Sequence, residues 1–424
     1  MRVSCASVTA TGTARRSTGD AWLDAVAATE DAERRRHERL VLEDRVQRLN
    51  RQLLGPRRDP ETGEWSKKHR AGTCGLPHGE RVEMGYVAVP DGLDTGQLRG
   101  VVVCAAANLC MRCAIKIAAA RARQIELLAA VMKALGFHCY MFTPTFSHAR
   151  SDGLALSYQD MMDAWTSLRQ SRLFRKLTAD GGGFCRQVEV TWSLANGFHP
   201  HLHVLVWSKL NLSGQGEWGR SEIDEMEHNL WREWSAQMAK AGRTVSEEHG
   251  ITLIRADDPA MGRYLAKVGL ELTMGPLKTG RHASWSMWDI AATAMDPDPD
   301  ITDEVRARCR ALWAEYAAVV GGRRMFATSH GLLKRAGVEE LDEQDEAERQ
   351  QGEFTPYVAA DAGVYSAADK AGVVPELKGL LSSRTAPELL ATVLTRRLGR
   401  AIVVKPPEDD VALPLLRWGC GGTT

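Results

Sequence analysis

The stretch Phe198-His199-Pro200-His201-Leu202-His203-Val204-Leu205-Val206 holds three of the chain's twelve histidines in nine residues and runs straight into an aliphatic segment. An extended chain sends alternate side chains to opposite faces. His201 and His203 therefore share one face, while Leu202, Val204 and Val206 share the other and point into a core. At ~3.3 Å per residue the two imidazoles stand about 7 Å apart along a rigid strand, close enough to converge on one divalent metal ion. A plain core strand with solvent-facing histidines leaves Pro200 and the repeated spacing without a reason.

A length of 424 residues suits two or three domains. Basic and acidic residues balance at 54 each, so total charge gives no argument for a nucleic-acid partner. The charge is uneven, however: Arg34 to Arg70 is rich in Arg and Lys, and Glu339 to Glu346 is acidic. No run of ~18 apolar residues predicts a membrane span, and no apolar signal segment opens the chain. The expectation is a cytoplasmic protein, whose nine cysteines are thiols or metal ligands rather than disulfides.

Cys110-Met111-Arg112-Cys113 has the C-x2-C spacing at which two thiolates chelate one zinc ion. Val101-Val102-Val103 delivers Cys104 beside it, and Gly72 and Gly75 mark a turn around Cys74. These four cysteines form the candidate structural zinc site, with a long gap between Cys74 and Cys104. Upstream, residues 1 to about 30 are polar and read as disordered, and Asp31 to Leu54 reads as a solvated helix. Ala114 to Leu135 predicts a strong helix stopped by Gly136, and a strand follows from His138 to Phe146.

Ser157-Tyr158-Gln159-Asp160 predicts a capping box opening a helix with Met161, Trp165 and Leu168 on one stripe. Gly181-Gly182-Gly183 turns into a strand from Arg186 to Ser193, and Asn196-Gly197 turns that strand into the histidine strand. Glu189 sits on this neighbour, where a buried acid needs a partner and a metal is one. Ser221-Glu222-Ile223-Asp224 opens another helix, Ile251 to Ile254 is a strand, and Asp258-Pro259 starts a helix carrying Tyr264, Lys267 and Glu271 on one polar strip. This order implies an α+β fold with a largely antiparallel sheet flanked by helices. After the linker Asp296 to Asp300 comes a helix from Ile301 to Val320, and residues 355 to 405 hold two weaker helical patterns.

His201-Leu202-His203 followed by Val-Leu-Val resembles the His-hydrophobe-His motif of rolling-circle replication initiators, the HUH endonuclease superfamily. Glu189-Val190-Thr191 with Asn196 to His203 is similar to the plasmid Rep pattern. So are the strand ending Phe142-Thr143-Pro144-Thr145, the cysteine group before the first long helix, Arg263-Tyr264-Leu265-Ala266-Lys267, Leu312 to Tyr316 and Ser329 to Leu332. The resemblance covers roughly residues 70 to 335. It implies an HUH-type antiparallel sheet flanked by helices. His201 and His203, with Glu189, would bind Mg2+ or Mn2+, and Tyr264 would nick one strand as nucleophile while Lys267 positions the phosphate or the phenol. The implied partners are origin DNA, duplex and single-stranded, with a host helicase and DNA polymerase and no membrane; oligomeric state stays open. Phe198 stands where the family usually has Trp. Ala260 stands where some relatives carry a glutamate for termination, so that step rests on Asp257, Asp258 or Glu271 or is missing.

The domain expectation is a disordered and charged helical segment over 1–69, a zinc module with the first long helix over 70–136, the HUH endonuclease domain over 137–295, a helical extension over 296–337, and an acidic linker with a helical C-terminal region over 338–424. Two other classes use the same residues. His199-x-His201-x-His203 also fits histidine-triad nucleotide hydrolases and transferases, which need no metal and give Tyr264 no role. A non-catalytic zinc DNA-binding regulator would use only the cysteines. Metal-dependent strand cleavage separates the three, and a transposase or relaxase remains open within the HUH class.

Overall fold

Asn196-Gly197 makes the turn that its composition implies. Gly197 has φ of 73°, a left-handed conformation open to glycine, and an added Cβ would lie 3.1 Å from the Arg150 backbone. The turn joins β4 (Gly183–Ser193) to β5 (Gly197–Ser208), the centre of an antiparallel sheet. With β3 (His138–Pro144), β6 (Ile251–Arg255) and β7 (Ser284–Ser286) the order is β6-β3-β5-β4-β7, and β8 (Phe326–Thr328) pairs the early part of β4. The computed structural model describes residues 18–56, 69–88, 94–214, 221–256, 284–349, 352–407 and 413–419, with side chains from residue 32. The helix expected from Asp258-Pro259 lies outside them.

One face of the sheet carries Tyr140, Phe142, Val188, Leu202, Val204 and Val206, all fully buried. Against it pack the helices α3 (Leu154–Leu168) and α5 (Glu222–Lys240) through Met161, Trp165, Leu168, Leu230, Trp234 and Met238. Each such aliphatic side chain contributes about 1.5–3 kcal/mol on burial. On the other face Cys139, Met141, Cys185, Leu205 and Trp207 lie under Ile125, Leu128 and Met132 of α2 (Met111–Ala134). α2 covers only part of that face. Beyond it the same face continues as His203, His201 and His199.

A second sheet has the order β10-β11-β9-β1-β2, formed by β1 (Arg81–Val87), β2 (Thr95–Arg99), β9 (Phe354–Asp361), β10 (Ile402–Lys405) and β11 (Leu415–Trp418). The molecule is thus α+β, with both sheets largely antiparallel. The C-terminal region holds three helices, Ala362–Lys370, Val374–Ser382 and Pro387–Leu398, and also contributes three strands that were not anticipated. Two of those strands are only four residues long, too few for a clear alternation.

Two local expectations change. Helix α3 starts at Leu154, not at Ser157: the Glu315 carboxylate accepts the Leu154 N–H at 2.8 Å, so an acid from a distant helix does the capping. Ser157 is buried within the helix and its hydroxyl accepts from Arg243. The helix α1 (Thr18–Leu54) starts earlier than expected and is not solvated along its length. Leu42, Val46, Leu49, Asp44, Gln47 and Asn50 are all buried in its later turns. Their polar groups have partners. Asn50 Nδ2 donates to the Leu109 carbonyl at 2.6 Å, and Trp313 Nε1 of the helix α7 (Asp303–Val320) donates to Asn50 Oδ1 at 2.9 Å.

Asn50→Ala strands a buried carbonyl and a buried indole N–H. With about 1–3 kcal/mol for each unsatisfied group, the expected loss for the two is roughly 2–6 kcal/mol. A urea titration in which this variant unfolds at the wild-type midpoint would show that Asn50 does not hold α1 to the core.

Candidate metal centres

The register of the central hairpin sets Glu189 opposite His201 and Gln187 opposite His203. Since the three chemistry-bearing residues occupy the face that α2 leaves uncovered, their side chains meet. Glu189 Oε2 lies 2.9 Å from Nε2 of both His201 and His203, and the two Nε2 atoms are 3.0 Å apart. For ligands about 2.1 Å from a metal and at right angles, the separation is about 3.0 Å. All three distances match one triangular face of an octahedron. A tetrahedral ion would hold the same atoms about 3.4 Å apart. The group can hold a metal ion, and its three atoms would occupy one side of such an ion.

Burial works against charge on Glu189, but the His201 and His203 imidazoles overcome it and hold the carboxyl well below its usual range. Burial likewise disfavours the His201 cation, and Glu189 reverses this and raises its pKa. The two ring Nδ1 atoms are buried with no hydrogen-bond partner among the described residues.

His199 faces the same way, its ring centroid 5.1 Å from that of His201, yet it does not join the group. Its Nδ1 bonds instead to Nε2 of His148, whose Nδ1 contacts the Asn196 carbonyl at 2.9 Å. A carbonyl only accepts, so His148 Nδ1 carries the proton and His148 Nε2 accepts from His199 Nδ1. His199 is left with a lone pair on Nε2. Burial first, then His201 and His148, pushes its pKa down to about 3, so it is neutral. His148 was not foreseen: it is a single histidine in a loop after β3, with no periodicity or spacing to mark it.

The four cysteines come together as well. Cys74 precedes β1, Cys104 follows β2, and Cys110 and Cys113 lie at the start of α2. The long gap between Cys74 and Cys104 is the β1–β2 hairpin, which leaves the cysteine group and joins the second sheet. Cys110 Sγ is 3.5 Å from Cys74 Sγ, Cys74 Sγ 3.8 Å from Cys113 Sγ, and Cys104 Sγ 3.7 Å from Cys113 Sγ. Disulfide sulfurs are about 2.05 Å apart, whereas four thiolates at ~2.3 Å from a tetrahedral ion are about 3.8 Å apart. Hydrogen bonds from Cys104, Cys110 and Cys113 hold the Cys74 thiol far below its usual pKa. Burial opposes the charge of neighbouring Arg112, and the Cys74 thiolate restores it, so a guanidinium balances the sulfur charge. The cluster can bind a metal.

Tyr264 and Lys267 lie outside the described residues, as do Asp257, Asp258, Ala260 and Glu271. The chain bearing them leaves β6 level with Val206 and returns at β7 level with Gly197. A small cavity beside His203 is lined also by Arg121, Gln187, Trp288 and Tyr316. It shares Asn108, Arg121 and Met325 with a polar cavity of about 370 Å³ that Arg70, Arg323, Arg324 and Glu343 line further out.

These features define a class, an α+β protein with a carboxylate–histidine triad on a sheet face and a tetrathiolate group beside the first long helix. No protein-family model matches the chain, and no solved structure does. The chain is similar to a curated protein of Streptomyces lividans named Protein rep, with 24% identity over 318 residues, 60% of this chain and 68% of that protein. No helix among the described residues is long and apolar enough to cross a membrane.

Three outcomes follow. In the metal-free protein, the Glu189 contribution is present above its unfolded value near 4.5 and is lost as pH falls through its depressed folded value. The His201 contribution is present below its unfolded value near 6.5 and is lost as pH rises through its raised folded value. The stability difference between wild type and Glu189→Gln, followed by urea unfolding without added Mg2+ or Mn2+, is therefore largest between pH 4.5 and 6.5. A ligand nitrogen must be neutral, so Mn2+ affinity, by calorimetry, rises about tenfold per pH unit on the acid side of His201's folded value. At the cysteine group, Cys110→Ser or Cys113→Ser yields insoluble or protease-sensitive protein, because binding energy there is folding energy. Folded wild type with no metal on elemental analysis would exclude this role.

Proposed function

We propose that this chain initiates rolling-circle replication by nicking one strand of origin DNA in the cytoplasm. In this reading Tyr264 attacks the scissile phosphorus. A tyrosine O–P bond forms as the bond to the 3′ oxygen breaks, leaving a 5′-phosphotyrosine and a free 3′-OH for a host DNA polymerase, with a host helicase opening the duplex. The observation that carries the reading is the octahedral-face geometry of Glu189, His201 and His203, which suits Mg2+ or Mn2+. Such an ion supplies Lewis-acid polarisation of a phosphodiester whose negative charge otherwise repels a nucleophile. The tetrathiolate Cys74, Cys104, Cys110 and Cys113 suits structural zinc.

The chain's own residues carry the other roles. Glu189 and the two imidazoles leave a bound divalent ion net positive and open on one side. Lys267, three residues after Tyr264, favours the phenolate of a group whose ordinary pKa is ~10 and meets the phosphate. The described chain ends after β6 and resumes at β7, four strand spacings or about 19 Å away across the sheet, and β5 with its histidines is one of the strands between. The outer cavity lined by Arg70, Arg323 and Arg324 supports a path for a phosphate backbone toward His203. Similarity to a protein named Protein rep agrees with the same reading.

Incubation of the protein with supercoiled plasmid bearing its replicon origin, in Mn2+, tests the proposal. Wild type is expected to form a covalent protein–DNA adduct, and peptide mapping to find the DNA on Tyr264. Tyr264→Phe keeps origin binding and forms no adduct; His201→Ala or His203→Ala lowers nicking by at least a hundredfold. His199→Ala is milder. An adduct on Tyr158 or Tyr316, or full activity in EDTA, would overturn the assignment.

A further inference from the structure

The three C-terminal helices share a core with β1 and β9, to which Val82, Met84, Val358 and Ala360 contribute, and they stand in the order and spacing of a helix-turn-helix. Val364 and Tyr365 of the first helix, Val374, Leu377 and Leu381 of the second, and Leu390, Ala391 and Leu394 of the third bury one another. Ile402 and Leu416 of the following β10–β11 hairpin close the same core. The second and third helices are separated only by Ser383, Arg384, Thr385 and Ala386, the turn length of helix-turn-helix motifs. Pro387 opens the third helix and Gly399, with φ of 65°, ends it. We propose that this unit is a second DNA site, one that binds duplex DNA by laying the helix Pro387–Leu398 in the major groove with the hairpin beside it.

The two helices are presented differently. The second is anchored inward: Lys378 Nζ is 3.9 Å from Glu43 of α1, and Ser382 accepts the Gly96 N–H of β2 at 2.8 Å. The third turns outward, with Glu388, Leu389, Thr392, Arg396 and Arg397 all exposed. An α-helix with its side chains is about 10–12 Å across and a B-form major groove about 12 Å wide, so the twelve residues of this helix can lie in the groove. Leu389, 50% exposed, and Thr392 offer an apolar and a hydroxyl contact to base edges. Between this helix and the hairpin runs an open groove, with Thr392, Thr395 and Arg396 on one wall and Val403, Val404 and Lys405 on the other.

Charge selects the occupant. Residues 383–407 carry Arg384, Arg396, Arg397, Arg400 and Lys405 against the single acid Glu388, in a chain of zero formal net charge. Arg396 and Lys405 make no hydrogen bond or ion pair among the described residues. Arg400 lies over the Trp418 ring at 4.5 Å, which fixes its direction and leaves its N–H donors for an acceptor. Arg397 is held by Glu376 in an exposed pair, which costs little to exchange for a phosphate, whereas Arg384 is paired with the partly buried Asp94 and lies over the Tyr86 ring. The connection between the two hairpin strands contains Glu408, Asp409 and Asp410, so the phosphate contacts are assigned to the helix, its C-terminal end and Lys405. An acidic or apolar protein surface would meet the same arginines without using the helix dimensions.

The site stands apart from the nicking reading, because duplex binding needs no Mg2+ or Mn2+ and can be read without added divalent metal. Full-length protein is titrated by fluorescence anisotropy against 30-base-pair duplexes tiled across the replicon origin. The same preparations are then tested in Mn2+ for cutting of single-stranded oligonucleotides of the same sequence. Arg396→Ala with Lys405→Ala is expected to weaken duplex binding at least tenfold and to lower the slope of log K against log salt by about two. Single-strand cutting should stay within twofold of wild type. Leu389→Gln should change which duplex is preferred and leave the salt slope alone. His203→Ala should lose cutting and keep duplex binding. Unchanged duplex affinity and slope in the double variant, or equal loss of duplex binding and single-strand cutting, would overturn the proposal.

Discussion

The register of β4 against β5 decides what chemistry this protein can carry. Glu189 stands opposite His201, and the side chains that share their face converge within 3.0 Å. A slip of one residue would turn Glu189 toward the side where Val188 and Leu202 are packed. It would then bury a carboxylate among aliphatic groups with no cation in reach. The turn at Gly197 and the fully buried stripe Leu202, Val204 and Val206 exclude that slip. Ordinary hydrophobic patterning on one face thus enforces ligand geometry on the other.

What lies beside the histidine row depends in turn on where α2 starts. That helix buries Leu205 and Trp207, and its first turn is held by Cys110 and Cys113. Gln47 and Asn50 of α1 secure the same junction. Gln47 Nε2 donates to the Ala71 carbonyl at 2.9 Å and its Oε1 accepts from Cys110 Sγ, while Asn50 links Leu109 to Trp313. The cysteine group and the histidine row are therefore parts of one arrangement: the first fixes the start of the helix whose early turns, with Ala114, Ala118 and Arg121, line the small cavity beside His203.

Much of this was legible in the chain. Strands with strong alternation or a flanking glycine turn, such as β4 and β5, are marked by local chemistry, and so is the capping box at Ser221, which the structure forms with Asp224. Parts of the two groups that can hold a metal were also legible as spacing, His201 with His203 and Cys110 with Cys113, because a strand or a helix start converts sequence interval directly into distance. What was not legible came from partners far away in the chain. Glu315 caps α3 from another helix, so Ser157 lost its expected place. Gln47 and Asn50 look like surface residues until their distant carbonyl partners are present. His148 finds its role only when the loop after β3 is folded against the Asn196 turn.

The interleaving of the second sheet has a consequence for biosynthesis. Strand β1 lies between β2, its hairpin partner, and β9, and Arg81 pairs with Asp361. When the ribosome has released the cysteine group and the whole central sheet, β1 still lacks the neighbour that covers its other edge. An unpaired edge recruits other chains, and non-local pairings form slowly. Nascent molecules thus pass through a stage with the first sheet assembled and an open β1 edge, a point at which truncated or stalled chains would associate with one another.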